Sequence, residues 1–257
     1  MSENTETKYK NEYILQRRRK LRIKRAIMLS IILISVLTTL CLKLSYFNIL
    51  NIYVHQNKTI SDDEIVKQSG ITKGTNIFYF NERKAIANIL DNPYVLETKI
   101  KRRFPDTIDI YIKERNAVFF VEKNKKYLIV DQNGIVLEEK DNIQSMNLIK
   151  LSGFDVTKAS VGKAITGKDD KRLDTIGKIT ELAMADQSNL HMSAVDLSDS
   201  SNSMVYFGNM CVKLGNSDKL QEKLNKAINI LSINNYKDGN GYIDVSFNGN
   251  PVVSIQK

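Results

Sequence analysis

The feature that most constrains this chain is an uncharged run of 17 residues near its start, Ala26–Leu42. As an α-helix the run would be about 26 Å long, slightly less than the roughly 30 Å hydrocarbon core of a bilayer. Tyr46 and Phe47 extend the apolar character, and Lys43 can reach the membrane interface with its amine. Ser and Thr are the only polar side chains in the run, so a helix here has no charged face. The sequence therefore predicts a transmembrane helix over residues 26–46.

A cleaved signal peptide is the main alternative for this apolar run. Signal peptides have a short basic region and small residues at the cleavage site. Residues 44–47, Leu-Ser-Tyr-Phe, do not have that pattern. We therefore expect an uncleaved membrane anchor.

The distribution of charge predicts the orientation of the anchor. The chain carries 38 basic and 29 acidic residues, a net charge of +9, and its first 25 residues hold nine basic and three acidic ones. Most of these basic residues directly precede the apolar run: Arg17, Arg18, Arg19, Lys20, Arg22, Lys24 and Arg25. Positive charge beside a transmembrane helix marks the cytoplasmic side. We therefore expect a cytoplasmic basic tail over residues 1–25, with the later domains outside the cell, and no nucleic-acid partner.

The segment from residue 47 to 115 reads as a small mixed domain. An alternating stretch at 47–56 predicts a strand, and Ser61 with Glu64 forms the S-x-x-E pattern of a helix start. This pattern favours a helix cap over a metal site for the neighbouring acids. A second helix is predicted at 82–90, followed by strands at 95–103 and 107–114. The order is β-α-α-β-β.

This segment resembles the POTRA domain that follows the membrane anchor in the bacterial division proteins FtsQ and DivIB. The resemblance is carried by short motifs in the right order. They are Phe47-x-Ile49-x-x-Ile52-x-Val54, Gly74-Thr75-Asn76-Ile77-Phe78, Asn92-Pro93-Tyr94-Val95, Ile100 to Thr107, and Glu114 to Val118. Asn116 stands where the family often has Pro, which is a minor departure.

The region from 116 to 257 is richer in strands. Asn133-Gly134 between apolar runs predicts a β-hairpin, because both residues tolerate positive φ. The further predicted elements are helices at 170–186 and 219–231, paired strands at 204–207 and 210–214, and a last strand at 241–254 with a bend at 248–250. These predicted elements together make a strand-rich α+β domain.

The second region is similar to the β domain of the same FtsQ/DivIB family. Residues 127–136 match its opening hairpin, and residues 241–247 match its closing strand, where Arg is commoner than Ser246. The resemblance covers roughly residues 17–254, and no additional C-terminal domain is expected. It implies the following fold class: a single N-terminal transmembrane helix followed by an α+β ectodomain, with a POTRA domain at 47–115 and a β domain at 116–257.

The resemblance also implies a function. FtsQ/DivIB proteins are non-enzymatic scaffolds of the divisome, the division machinery at the septum. They bind bitopic proteins of the FtsB/DivIC and FtsL type and other divisome components, and they help to assemble septal peptidoglycan synthesis. We therefore expect a single-pass membrane protein of the division septum.

The closing strand is the expected partner-binding site, because a partner can add a strand to an exposed sheet edge. Pro251 cannot donate to a ladder and marks an edge or a bulge. The closing motif implicates Asp244, Val245, Ser246, Phe247, Asn248, Gly249, Pro251, Val252 and Val253. Phe247 and Val252 are the expected apolar anchors. The alternative that Phe247 is an ordinary core residue is equally open.

Catalytic motifs are weak. Ser160-x-x-Lys163 matches the nucleophile motif of penicillin-binding proteins, but no K-T-G follows it. The stretch from Gly162 to Lys168 approaches a P-loop and lacks the Ser or Thr that would ligate magnesium. Cys41 and Cys211 are expected to be apolar fillers. We expect no enzyme activity, no cofactor and no metal; a membrane-anchored cell-wall enzyme and a POTRA-containing export or signalling component stay as alternatives.

Overall fold

A computed structural model describes residues 3–167, 169–185, 190–233, 236 and 239–256, and the side chains of most of these from residue 17 onward. The chain forms two compact units. One comprises residues 1–55, 62–86 and 99–111, and the other comprises residues 56–61, 87–98 and 112–257.

The N-terminal helix, α1, runs from Glu3 to Lys43. Its part from Arg17 to Lys43 is long and apolar enough to cross a membrane, and the side chains of residues 17–40 are exposed. The Thr38 and Thr39 hydroxyls each donate to a carbonyl four residues earlier, at 2.8 Å. These bonds satisfy polar groups that would otherwise face lipid. The α-helix ends at Lys43, three residues before the predicted end, and a short 3₁₀ turn follows at Ser45–Phe47.

A three-stranded sheet with two helices follows, and it has the predicted β-α-α-β-β order. The elements are β1 (Asn51–His55), α2 (Asp62–Ser69), α3 (Glu82–Leu90), β2 (Val95–Arg103) and β3 (Thr107–Glu114). The strand order is β1-β3-β2, with β1 parallel to β3. The apolar residues of the central strand, Ile108, Ile110 and Ile112, are buried, as their alternation indicates.

The second sheet has nine described strands. They are β4 (Ala117–Lys123), β5 (Lys126–Asp131), β6 (Val136–Lys140), β7 (Ile149–Ser152), β8 (Met192–Asp196), β9 (Ser203–Phe207), β10 (Met210–Gly215), β11 (Asn240–Asp244) and β12 (Val252–Gln256). Their order in the sheet is β12-β11-β10-β9-β8-β7-β4-β5-β6. This strand-rich unit with its helices confirms the predicted α+β class.

Two helices connect parallel neighbours of this sheet. Helix α4 (Arg172–Ala185) lies between β7 and β8, and helix α5 (Leu220–Ile233) lies between β10 and β11. The two helices contact each other, and α5 contacts β10. The apolar stripe of α5 is buried in the core with the sheet: Leu220, Leu224, Ala227, Ile228 and Leu231. A parallel pair needs such a crossover, because its second strand must start from the same end as the first.

The structure corrects the prediction of one last strand over residues 241–254. Two antiparallel strands, β11 and β12, occupy this region, and a turn over residues 246–250 separates them. The predicted bend is therefore a reversal of the chain.

Strands β4, β7 and β8 were not predicted, because each is short or lies in a stretch without clean alternation. The predicted helix at 170–186 begins at Arg172 and is described to Ala185; residue 186 lies outside the described residues.

Candidate partner-binding edge

The candidate site is the edge of the nine-stranded sheet that β12 forms. Among the described strands, β12 is the last in the sheet and pairs with β11 alone. Its register places Val252 opposite Asp244 and Val253 opposite Ile243. The outer side of β12 therefore presents backbone donors and acceptors to a partner strand.

The apolar face of the core continues onto this edge. Directly opposite residues of an antiparallel pair lie on the same face, so Val253 shares the face of the fully buried Ile243. Ile255, opposite Gly241, lies on that face too. Both Val253 and Ile255 are exposed. The edge strand thus exposes apolar side chains directly beside buried core residues.

The turn between β11 and β12 is held by a few short contacts. Asp244 accepts hydrogen bonds from the Ser246 amide at 3.0 Å and the Ser246 hydroxyl at 2.6 Å. The buried Val245 donates its amide to the Lys213 carbonyl at 3.0 Å. Gly215 has φ +70°, and a Cβ there would lie 2.8 Å from the Ser246 Cβ. This close approach requires a small residue where the turn leaves the sheet.

Phe247 lies at the tip of this turn and is 47% exposed. A Cβ on Gly249 would lie 3.2 Å from two ring carbons of Phe247, so the ring rests against the glycine. Of the two readings of Phe247, the surface position is the one that the structure has. Val245, in contrast, is buried in the core.

A basic helix face borders the same turn. Lys219, Lys223 and Lys226 line a shallow groove together with residues of the turn, among them Phe247 and Pro251. Lys223 and Lys226 are three residues apart and lie on one side of α5, and Lys219 directly precedes the helix. The Lys223 amine donates to the carbonyl and the side-chain oxygen of Asn216, at 3.1 and 3.0 Å. Lys219, Lys226 and Glu222 are exposed, so the groove presents two ammonium groups and one carboxylate beside an apolar ring.

The structure thus places the sequence-predicted site residues at the end of β11, in the turn that follows and on the edge strand β12, with Val245 in the core. It adds Ile255 and the three lysines, which sequence reasoning missed. Ile255 was missed because the predicted strand ended at 254. The lysine spacing on a helix with a clear apolar stripe was a readable signal for the basic face. The seven basic residues that precede the apolar run lie on α1.

The catalytic alternatives find little support in the geometry. Ser160 and Lys163 are both exposed and lie in a turn, where the Lys163 amide donates to the Ser160 carbonyl at 3.1 Å. Gly162 has φ +81° in this turn, and Lys168 lies outside the described residues. Burial raises the pKa of the Cys211 thiol, which makes it a poor nucleophile.

Histidines and acids do not form a metal centre in the described part of the chain, where no three His, Cys, Asp or Glu residues are grouped to hold an ion. His55 Nε2 lies 3.0 Å from Asp109 Oδ1, and its ring stacks on Tyr111. His191 lines a separate cavity of about 230 Å³ with Thr180 and Met192. His55 therefore has a structural role in the small sheet.

Comparison with known families agrees with this architecture. The family described as POTRA domain, FtsQ-type, matches residues 47–115. The family described as Cell division protein FtsQ/DivIB, C-terminal, matches residues 119–246. The fold and these matches define a class of protein with an N-terminal apolar helix, a POTRA domain and a strand-rich second domain.

Curated relatives identify the family. The cell division protein DivIB of Clostridium acetobutylicum is 45% identical over 250 residues, which cover 97% of this chain and 100% of the relative. DivIB of Clostridium botulinum strain Hall is 40% identical, covering 96% and 97%. FtsQ of Syntrophotalea carbinolica is 28% identical over 193 residues, covering 70% and 64%. The chain belongs to the FtsQ/DivIB family of cell division proteins.

Proposed function

We propose that this protein is a non-enzymatic scaffold of the divisome that binds small bitopic partners of the FtsB/DivIC and FtsL type through the β12 edge. In this proposal a segment of the partner adds a strand beside β12 and covers Val253 and Ile255. The observation that carries the proposal is the exposed apolar face on an edge strand whose direct neighbour, Ile243, is fully buried.

Two features of the edge support strand addition. The main chain of β12 offers hydrogen bonds without regard to the partner's side chains, and the alternate apolar side chains give specificity. Phe247 and Val252 then serve as anchors at the start of the strand. Residues that dominate binding energy cluster near the centre of an interface, where the partner excludes water.

The basic groove supports an acidic character for the partner segment. Lys219 and Lys226 border the turn at which an added strand would begin or end. Carboxylates on the partner would meet these ammonium groups and steer the encounter. Ser246 stands where the family commonly has Arg, and in this chain Lys219 and Lys226 supply positive charge beside the turn.

The proposed location follows from α1. The basic residues Arg17 to Arg25 keep the N-terminus in the cytoplasm, and the folded domains after residue 46 lie outside the cell at the septum, where they help to assemble septal peptidoglycan synthesis. A phosphatase that is active only outside the cytoplasm, fused after residue 257, tests this orientation. An active fusion agrees with the proposal, and an inactive but intact fusion contradicts it.

A matched pair of variants tests the binding edge. Val252 and Val161 are the same residue type in the same unit, and each is 46% exposed. The Val252→Asp variant puts a charge on the edge, and Val161→Asp puts it in a distant turn. We expect the first to lose binding of a purified DivIC-type partner and the second to retain it, with unchanged circular dichroism for both. Equal binding by the two variants would reject the edge as the site.

Point variants are cleaner than a truncation here. Removing residues 244–257 would take away the buried Val245 and uncover Ile243. A loss of binding by such a truncation would not separate a lost site from a damaged core. Val252→Asp leaves both residues in place.

A further inference from the structure

A run of aromatic rings begins where helix α1 ends, and it is independent of the β12 edge. The rings of Tyr46 and Phe47 lie 5.3 Å apart, those of Phe47 and Phe78 lie 5.6 Å apart, and those of Phe78 and Phe104 lie 5.3 Å apart. We call these four residues the aromatic run. Tyr46, Phe78 and Phe104 are exposed, and Phe104 is 57% exposed. A row of adjoining rings that face solvent is unusual for a surface without a partner.

The aromatic run is fixed to the end of the membrane helix. The Asn76 side-chain amide donates to the carbonyls of Cys41 and Leu42, at 3.0 and 3.3 Å. These carbonyls belong to the last turn of α1, whose acceptors have no partner within the helix. The Asn76 side-chain oxygen in turn accepts the Phe78 amide at 3.0 Å.

A second backbone contact ties the two parts of the run together. The Ile77 amide donates to the Phe47 carbonyl at 2.8 Å. Phe47 follows the helix end by four residues, and Ile77 directly precedes Phe78. These hydrogen bonds therefore hold the rings close to the level at which α1 ends.

The length of the apolar part of α1 determines which layer of the bilayer surrounds its C-terminal end. Its uncharged part stops at Leu42, and a 17-residue run is already slightly shorter than the hydrocarbon core. The residues that follow, including Lys43 and Tyr46, must then lie in the headgroup layer. Tyr and other amphipathic rings prefer this layer, and a Lys amine there can reach lipid phosphates.

We propose that the aromatic run is a membrane-docking surface that seats the part of the first unit that follows α1 on the headgroup region of the bilayer that α1 crosses. The occupant is the phospholipid interface at the C-terminal end of α1. Phe78 and Phe104 insert their rings between headgroups, and the neighbouring exposed Leu50 adds apolar area. Leu50 is placed there because its amide donates to the Asp106 carbonyl at 2.8 Å, two residues after Phe104.

The absence of Trp from the sequence makes a clean test possible. A Phe104→Trp substitution gives the full chain a single Trp reporter inside the aromatic run. The control is Tyr111→Trp, which lies in the same unit and opposite His55 on β1. Tyr111 is five residues beyond Asp106, so it lies about 17 Å away along the direction of β3.

The measurement is quenching of Trp fluorescence by brominated phosphatidylcholine in proteoliposomes that contain the full chain. We expect the Phe104→Trp emission to be quenched several-fold more than the Tyr111→Trp emission. Phe78→Trp serves as a second reporter if the first variant loses its circular dichroism spectrum. Equal quenching of run and control reporters would overturn the proposal. A second result would also overturn the proposal: brominated lipid leaves the Phe104→Trp emission unchanged, while that emission shifts as the protein-to-lipid ratio rises. A second copy of the chain, and not lipid, would then cover the rings.

Discussion

Ile243 and Val253 face each other across the last antiparallel strand pair, yet Ile243 is fully buried and Val253 is 40% exposed. Two apolar residues on one face of a sheet differ in this way when the sheet stops at the second of them. An added strand beside β12 would complete the burial that β12 itself gives to Ile243. The pair locates the surface on which the proposed scaffold function depends.

Reversing the charge of the basic groove should weaken partner binding mainly through the association rate. The Lys219→Glu/Lys226→Glu variant replaces two exposed ammonium groups beside the edge with carboxylates, which would repel an acidic partner segment. We expect slower association at low salt and a smaller dependence of the rate on salt. Surface plasmon resonance at two ionic strengths measures both.

The Lys158→Glu/Lys163→Glu variant is the control for this charge reversal, since it changes the net charge equally at exposed positions outside the groove. An equal effect of the two double variants would show that only overall charge matters, and would contradict the groove's role.

The ion pair between the partly buried Arg115 and the buried Asp131 should stabilise the second unit strongly. Arg115 Nη1 donates to Asp131 Oδ2 at 2.8 Å, and Asp131 Oδ1 accepts the amides of Asn133 and Ile135, each at 2.8 Å. The Arg115→Met variant leaves the Asp131 carboxylate buried without its cation. We expect a loss of about 3 kcal/mol in the free energy of unfolding.

An exposed ion pair provides the comparison for this loss. Lys113 Nζ lies 2.9 Å from Glu97 Oε1, and both side chains are mostly exposed. The Lys113→Met variant should cost about 0.5 kcal/mol or less. Urea unfolding of both variants in detergent, followed by tyrosine circular dichroism, measures the two values. Similar losses for the two variants would show that burial does not decide the strength of the Arg115 pair.

The start of helix α4 should weaken in acid. Hydrogen bonds from the Arg172 side chain hold the pKa of Asp170 at about 2, below its ordinary value of 3.8, although partial burial opposes the shift. Arg172 also donates to the Gly153 carbonyl and lies over the Phe154 ring. Because folding lowers this pKa, the charged carboxylate stabilises the folded state above about pH 4, and the contribution is lost as the pH falls toward 2.

The Asp170→Asn variant tests this dependence. The melting temperature of the native chain should exceed that of the variant at pH 7, and the gap should narrow as the pH falls toward 2. A gap that stays constant over this range would show that the Asp170 charge does not contribute.

Glu114 is a second carboxyl with a lowered pKa. Burial opposes this lowering, and hydrogen bonds from the amides of Lys58, Ile60 and Thr59 outweigh the effect of burial.

Local sequence patterns predicted the elements whose signals are strong. Alternation in Thr107–Glu114 and the helical spacing of Leu220, Leu224 and Leu231 gave β3 and α5 nearly to the residue. The chain reversal between β11 and β12 was missed, because Asn248-Gly249-Asn250 reads equally well as a bend within one strand. Only the pairing of Asp244 with Val252 distinguishes the two.

The candidate site was predictable in part. The closing motif pointed to residues 244–253, but sequence alone left Phe247 open between core and surface, because both positions accept an aromatic ring. Val245 is buried and Phe247 exposed because Val245 still follows the sheet, bonding to Lys213, and Phe247 lies in the turn beyond it. The basic groove joins α5 to a turn some 25 residues later, a distance that no local pattern spans.

Residue-resolved hydrogen exchange of β12 in the full chain, alone and bound to a purified DivIC-type partner, tests the central claim most directly. Along an edge strand, successive amides point alternately toward the sheet and away from it, so an added strand protects every second one. We predict that alternate amides within residues 252–256 gain protection in the complex while those bonded to β11 change little. Unchanged exchange throughout β12 in a saturated complex would contradict strand addition at this edge.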